Sequence, residues 1–254
     1  MLETMDGPQI RAAPRTLITI ATYNEIENLP RLIDELFKIS PDFHILVIDD
    51  NSPDGTGRWC DAANLRNERI CCLHRPGKLG LGTAIVAGMR YAIEHDFEYA
   101  LNLDADFSHD PEYIPALMNA IEDEQGEHLA DLAIGSRYVP GGSTPGWPLQ
   151  RRIISRALNY YTRVLLGLKV RDCSGGFRCY RTSALRSVEF AQIRSRGYSF
   201  QEEILWHLKG AGARFSEVPI AFRDRTEGTS KITLREALDA VWVVTQMAFS
   251  VRSR

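Results

Sequence analysis

The sequence predicts an α/β protein built on one mostly parallel sheet with helices on both faces, and three observations predict it. From Thr16 to Tyr138, short apolar runs alternate with helical patterns. The acidic residues gather where those runs end, which is where a parallel sheet opens its ligand crevice. With 254 residues and 44% hydrophobic composition, the chain can bury one substantial core.

The rhythm starts with TLITIAT (16–22) as a strand and a helix near 29–39. FHILVIDD (43–50), a helix over 56–65 and RICCLHR (69–75) follow. Next come a helix over 83–95, the strand EYALNLDAD (98–106), a helix after Pro111 and the strand LADLAIGSRY (129–138). The turn-rich VPGGSTPGWP (139–148) breaks the pattern and leads into a long helix over about 150–168. A late strand precedes RDRTEGTSK (223–231), and a terminal helix spans 233–250. The expected division is a disordered extension at 1–15, a main domain at 16–231 with parts 16–136 and 137–231, and a C-terminal amphipathic helix at 232–254.

The net charge of −3 argues against a protein that coats nucleic acid. Charge is nevertheless segregated: residues 137–181 hold nine Lys and Arg against one acid, Asp172, so an anionic partner belongs there. Residues 1–15 lack the apolar stretch of a secretory signal, which leads us to expect a cytoplasmic protein. The apolar stretch 237–251 contains Asp239, Thr245 and Gln246 and falls short of the roughly 20 residues that span a bilayer. Five cysteines without a CxxC pair encode neither a disulfide framework nor a zinc ligand set.

Several segments carry chemistry. ATYNE (21–25) ends the first strand with Asn24 and Glu25, which can face a ligand or cap the next helix. DDNSPDGT (49–56) ends the second strand; a carboxylate there suits a ribose diol or a base N–H, and a turn explains Asp54–Thr56 without explaining both Asp49 and Asp50. DADFSHDP (104–111) is the strongest signal, because Asp104 and Asp106 at i and i+2 can share one hard divalent cation and leave room for a diphosphate. A solvated acidic turn is the alternative; Ser108, His109 and Asp110 are not ranked as ligands by spacing, and His109 reads as a rim or hydrogen-bonding residue.

RPGKLGLGT (75–83) is neither a P-loop, since Lys78 precedes the last glycines, nor a GxGxxG, since position 85 is Ile. It is a tight loop before a helix, facing a ligand or permitting close packing. On the long helix, Arg152, Arg156, Asn159 and Arg163 share a face opposite an apolar stripe through Ile153, Ile154, Leu158, Tyr161, Val164 and Leu165. Such a helix suits an anionic membrane surface, or an ordinary core contact with arginines in solvent. Arg151 and Ser155 at i and i+4 can reach one anion, and Trp147 ahead of them could insert at the interface. RDRTEGTSK offers Arg225, Ser230 and Lys231 in a loop of the kind that closes on phosphates.

Taken in order, ATYNE, DDNSPDGT, GLGTA, DADFSHDP, GSRY, GWPLQRRIISR, DCSGGFRCYR, YSFQEE and VPIAFRDRTEGTSK resemble the polyprenol-phosphate (dolichol-phosphate) mannosyltransferases of glycosyltransferase family 2, over about 16–231. The resemblance implies a GT-A fold, a Rossmann-like nucleotide-binding mostly parallel sheet with a C-terminal acceptor-binding helical region. It implies nucleotide-sugar contacts at Thr22, Tyr23, Asn24, Glu25, Asp50, Asp104, Arg225 and Lys231, and Mg²⁺ or Mn²⁺ at Asp104, Asp106 and Ser108. Arg137, Arg151 and Ser155 match the positions that bind the lipid phosphate, and Asp104, Asp106 and Arg225 carry catalysis.

The implied reaction moves mannose from GDP-mannose to a polyprenyl or dolichyl phosphate with inversion, at the cytoplasmic face of a membrane and with room for a small membrane-protein partner. Two departures stand out: DNS replaces the common DGS at 50–52, and the tail offers no membrane span. A UDP-glucose-dependent polyprenyl-phosphate glucosyltransferase has the same chemical needs. A phospho-acceptor receiver module is about half this length and carries its paired acids after the first strand, and a non-catalytic membrane-surface module leaves Asp104 and Asp106 unexplained.

Overall fold

The computed structural model describes residues 14–223 and 234–250, with side-chain surroundings of the last helix described for 241–249. Among the described residues, seven strands form one sheet: β1 (Thr16–Thr22), β2 (His44–Asp49), β3 (Ile70–His74), β4 (Tyr99–Asn102), β5 (Leu132–Ser136), β6 (Arg178–Arg181) and β7 (Phe215–Pro219). Their order is β3-β2-β1-β4-β6-β5-β7. Every neighbouring pair is parallel except the two that involve β6, which runs antiparallel to both β4 and β5. The helices are α1 (Leu29–Ile39), α2 (Thr56–Asn64), α3 (Leu81–Glu94), α4 (Ile114–Asn119), α5 (Leu149–Leu166), α6 (Thr182–Leu185), α7 (Phe200–Gly210) and α8 (Leu234–Ser250).

The expected strand and helix rhythm holds from β1 to β5, with boundaries shifted by a few residues. The central strands are continuous apolar runs because helices cover both faces. Leu17 points into the layer beneath α3 and α7, while Ile18 and Ile20 belong to the opposite layer beneath α1 and α4. In α1, Leu29, Leu32, Ile33 and Leu36 are buried at helical spacing, and Pro30 sits in the first turn where its missing N–H costs nothing.

β6 carries no apolar alternation and was not expected from the sequence. Its first residue, Arg178, is fully enclosed, with its guanidinium donating to the Gln201 carbonyl at 2.8 Å and the Cys173 carbonyl at 2.6 Å. These charge-assisted bonds fasten β6 to α7 and to the loop after α5.

The packing of α5 corrects the face assignment made from periodicity. Its buried residues are Ser155, Asn159, Thr162 and Leu166. Ile153, Ile154, Tyr160 and Val164 are exposed. The inward polar residues are satisfied locally: Asn159 Oδ1 accepts the Cys173 N–H at 2.7 Å, and its amide donates to the Ser155 carbonyl at 2.9 Å. Trp147 is also not an exposed wedge; it is buried and meets Phe222 edge to face, with ring centroids 5.6 Å apart. α8 packs on α5 and α7, with Tyr161 and Thr245 hydroxyls 2.7 Å apart, while Trp242 and Phe249 stay exposed. No helix among the described residues is long and apolar enough to cross a membrane.

Candidate active site

A cleft of about 880 Å³ opens at the C-terminal ends of β1, β2 and β4. Thr22, Tyr23 and Glu25 line it from β1, Asp50 and Lys78 from the next two strand ends, and Asp104 and Asp106 from the loop after β4. The facing wall is the 194–199 segment ahead of α7, with Val243 of α8. Among the described residues, three of the four non-glycine positions with left-handed backbone, Asn24, Asn51 and Phe107, sit in the three strand-end loops of this cleft. Asparagine tolerates that conformation; phenylalanine does so only when its surroundings enforce it.

The two adjacent acids at the end of β2 have different jobs. Asp49 is buried and accepts hydrogen bonds from the Thr22 hydroxyl and from both the N–H and hydroxyl of Ser52, so it builds the turn. Asp50 faces the cleft and pairs with Arg75, whose Nε lies 2.9 Å from Oδ1. Burial raises the Asp50 carboxyl above its ordinary value, and the Arg75 charge works against that rise. Arg75 is held in turn by Thr83, whose hydroxyl it reaches at 2.9 Å.

The same turn positions the first strand's loop. Ser52 Oγ accepts the Asn24 N–H at 3.0 Å, Thr56 Oγ1 accepts the Glu25 N–H at 3.1 Å, and Asp54 accepts the Ile26 N–H at 3.1 Å. Tyr23 lies under the Lys78 ammonium, 3.4 Å from the ring centroid, which places a cation and an aromatic face at one edge of the cleft. Asn24 shows its backbone tied to that turn rather than lining the cleft.

The loop after β4 is arranged around its acids. Asp104 is the more open of the pair, with its side chain 34% exposed, and Asp106 is nearly buried. Ser108 donates to Asp106 Oδ1 from its N–H at 3.0 Å and its hydroxyl at 2.6 Å. Ser108 is buried and does not line the cleft, so it stands behind Asp106 and orients it. His109 is buried too, stacked on Phe177 with centroids 5.1 Å apart, and its Nδ1 accepts the Asp104 N–H at 3.1 Å. Burial lowers its pKa, so it is a neutral support under the loop, not a rim residue. Two carboxylates lining one cleft form a hard-oxygen donor pair that fits Mg²⁺ or Mn²⁺.

Arg137, Arg151 and Ser155 lie close together through Tyr138 and Trp147. Tyr138 and Ser155 hydroxyls are 2.6 Å apart. Arg151 stacks over the Trp147 ring at 3.8 Å, and Arg137 lies 5.7 Å from the same centroid. Arg137 is fully engaged from one side: its Nε and one terminal nitrogen each lie 2.7 Å from the Asp172 carboxylate, and that nitrogen also donates to Ser174 at 2.8 Å. Arg225 and Lys231, with Ser230, lie outside the described residues.

Three features were not legible as site residues. The 194–199 segment forms a wall of the cleft, and Glu203 holds it by accepting the Arg194 and Ser195 N–H groups at 3.0 and 2.7 Å. Gly80 and Gly82 serve that wall: a Cβ on Gly80 would come 2.4 Å from the Arg196 carbonyl oxygen, and one on Gly82 would come 2.7 Å from Phe200 Cβ. The glycine run therefore permits close packing and also faces the cleft, which Lys78, Gly80 and Leu81 line. Arg75 and Asp172 complete the set, each the counter-ion of an expected site residue; their charge and position near the motifs were the available signal.

The glycosyl transferase family 2 profile matches residues 17–188. The chain belongs to glycosyl transferase family 2. Among curated relatives of this family, a polyprenol monophosphomannose synthase of Mycolicibacterium smegmatis is 40% identical over 237 residues, covering 92% of this chain and 88% of the relative. An undecaprenyl-phosphate mannosyltransferase of Micrococcus luteus is 41% identical over 238 residues, covering 94% and 96%. Among solved structures, glucosyl-3-phosphoglycerate synthase of Mycobacterium tuberculosis, in complex with Mn²⁺, UDP-glucose and phosphoglyceric acid, matches with a TM-score of 0.62 at 17% identity over 94% of this chain and 79% of that one. That likeness is one of fold, the GT-A arrangement of a family 2 glycosyltransferase.

Proposed function

We propose that this protein transfers mannose from GDP-mannose to a polyprenyl monophosphate, releasing GDP and forming a β-mannosyl phosphoryl lipid. The carrying observation is the Asp104–Asp106 pair at the mouth of β4, facing a cleft that Asp50 and Tyr23 share. The names of the two curated relatives support the acceptor class and the sugar.

A Mg²⁺ or Mn²⁺ ion held by Asp104 and Asp106 would supply positive charge against the leaving diphosphate. The chain's own groups do the rest. Asp50 accepts from the nucleoside, and Tyr23 and Lys78 offer a stacking face and a cation at the cleft edge. The acceptor phosphate is already about −1.5 to −2 charged at neutral pH, so no side chain has to remove a proton from the nucleophile. One phosphate oxygen forms the new bond to C1 of the sugar as the C1 bond to the diphosphate oxygen breaks, and displacement in one step inverts C1. Arg151, with Arg137 behind Trp147, receives the lipid phosphate; Arg225 and Lys231 close on the donor diphosphate.

The exposed apolar residues of α5 and α8, bordered by Arg152 and Arg156, suit the surface of a bilayer that holds the lipid acceptor. We place that surface at the cytoplasmic face, with α8 as the docking site of any small membrane partner.

The test is transfer of labelled mannose from GDP-mannose to a short-chain polyprenyl phosphate with Mg²⁺ or Mn²⁺, beside Asp104→Ala and a UDP-glucose control. Metal-dependent mannosyl lipid that disappears in the variant is the expected result. A product with retained anomeric configuration, or turnover of UDP-glucose alone, overturns the mechanism or the donor respectively.

A further inference from the structure

On the far side of β2 from β1, α2 and β3 bring together three metal-ligating side chains of three different kinds. Cys72 and His74 alternate along β3, so both project on the face that α2 covers. Asp61 comes from α2. One donor atom from each residue lies within 4.8 Å of the other two. His74 Nδ1 is 3.8 Å from Cys72 Sγ, and His74 Nε2 is 2.8 Å from Asp61 Oδ1.

We propose that Asp61, Cys72 and His74 form a second cation site, distinct from the acidic pair of the cleft and selective for a thiophilic divalent ion of the zinc class. A thiolate, an imidazole and a carboxylate are the mixed N, S and O set that Zn²⁺ takes with three protein ligands and one open position. Mg²⁺ and Mn²⁺ prefer the all-oxygen pair at Asp104 and Asp106. With Zn–S near 2.3 Å and Zn–N near 2.0 Å, an ion bridging Cys72 and His74 would hold their donor atoms roughly 3.5 Å apart, close to the separation present. Asp61 now sits on the other ring nitrogen, His74 Nε2, and with its side chain 58% exposed it would leave that nitrogen to reach the ion.

One edge of the His74 ring rests against Gly57 of α2, where a Cβ would come 3.0 Å from its Cε1, while the side chain stays 52% exposed to an incoming ion. An ion here would staple α2 to β3. Those elements begin at Thr56, which holds Glu25, and end beside Arg75, which holds Asp50. Occupancy therefore reads out as stability of the donor half of the fold.

Cobalt(II) is the probe, titrated into the chelator-treated full-length protein. Thiolate ligation gives a near-ultraviolet charge-transfer band that an all-oxygen site cannot give. The expected result is a one-to-one band displaced by Zn²⁺, retained in Asp104→Ala, lost in Cys72→Ser, and weakened at least about tenfold in affinity in His74→Ala and in Asp61→Asn. Zn²⁺ should also raise the melting temperature of the parent protein and leave that of His74→Ala unchanged. No thiolate band, or a band that survives Cys72→Ser, overturns the site; undiminished affinity in Asp61→Asn overturns the three-residue assignment.

Discussion

Arg137 and Asp172 close a two-point ion pair, both legs 2.7 Å long, with the carboxylate wholly enclosed and the guanidinium nearly so. Asp172 also accepts the Arg137 and Gly175 N–H groups, at 3.0 and 2.9 Å. The pair fixes where β5 ends against the loop after α5. It also means that Arg137 brings no net positive charge to the acceptor region, so Arg151 has to supply it.

Breaking this pair from one side should be costly. Asp172→Asn strands a buried guanidinium and should lower stability by about 3–5 kcal/mol, read by urea denaturation. The double variant Arg137→Met/Asp172→Leu removes both charges and should recover much of that loss. A double variant as unstable as the single one would mean that the hydrogen bonds to the backbone, and not the charge balance, set the cost.

Arg75 acts on the donor through Asp50. Arg75→Met leaves the Asp50 carboxyl partly buried without its counter-ion and raises its pKa further. The KM for the nucleotide sugar should rise about tenfold near neutral pH with kcat changed little, the pattern of lost uniform binding. The defect should deepen as pH falls, because the raised Asp50 carboxyl takes up a proton sooner. A fall in kcat at constant KM would count against this role.

Glu202 gives the fold a pH dependence of unusual sign. Burial pushes its carboxyl up to about 7, and its Oε2 has no hydrogen-bond partner among the described residues. Between the ordinary value of 4.5 and about 7, the folded chain holds a proton that the unfolded chain has released. This contribution to stability is greatest below the unfolded value and is lost as pH rises through that window, by roughly 3 kcal/mol in all. Glu202→Gln should therefore be more stable than the parent near pH 8 and nearly equal to it near pH 4, in denaturation curves at each pH.

The outward apolar face of α5 predicts a separation of functions. Ile153→Asp with Val164→Asp should reduce sedimentation with anionic vesicles at least about tenfold, because both residues are exposed and support no core contact. Transfer to a short-chain, water-soluble polyprenyl phosphate should stay close to the parent level. Equal loss in both assays would show that the face shapes the site itself.

The sequence by itself determined the alternating architecture from β1 to β5 and the acids at the strand ends. Hydrophobic periodicity and strand-end polarity are local signals, and TLITIAT and DADFSHDP carry them within a few residues. It determined the motif order as well, and with it the family. Tertiary structure decided which of two adjacent acids faces the cleft, since Asp49 is turned away by Ser52 and Thr22 while Asp50 is held by Arg75 across 25 residues of chain. It decided the inner face of α5, where Ser155 and Asn159 find buried partners that no periodicity can reveal. It decided the place of β6, which no apolar periodicity marks and which Arg178 fastens through the carbonyls of Gln201 and Cys173. In each case the deciding contacts include a buried polar group meeting a partner distant in sequence, and only the folded chain brings the two together.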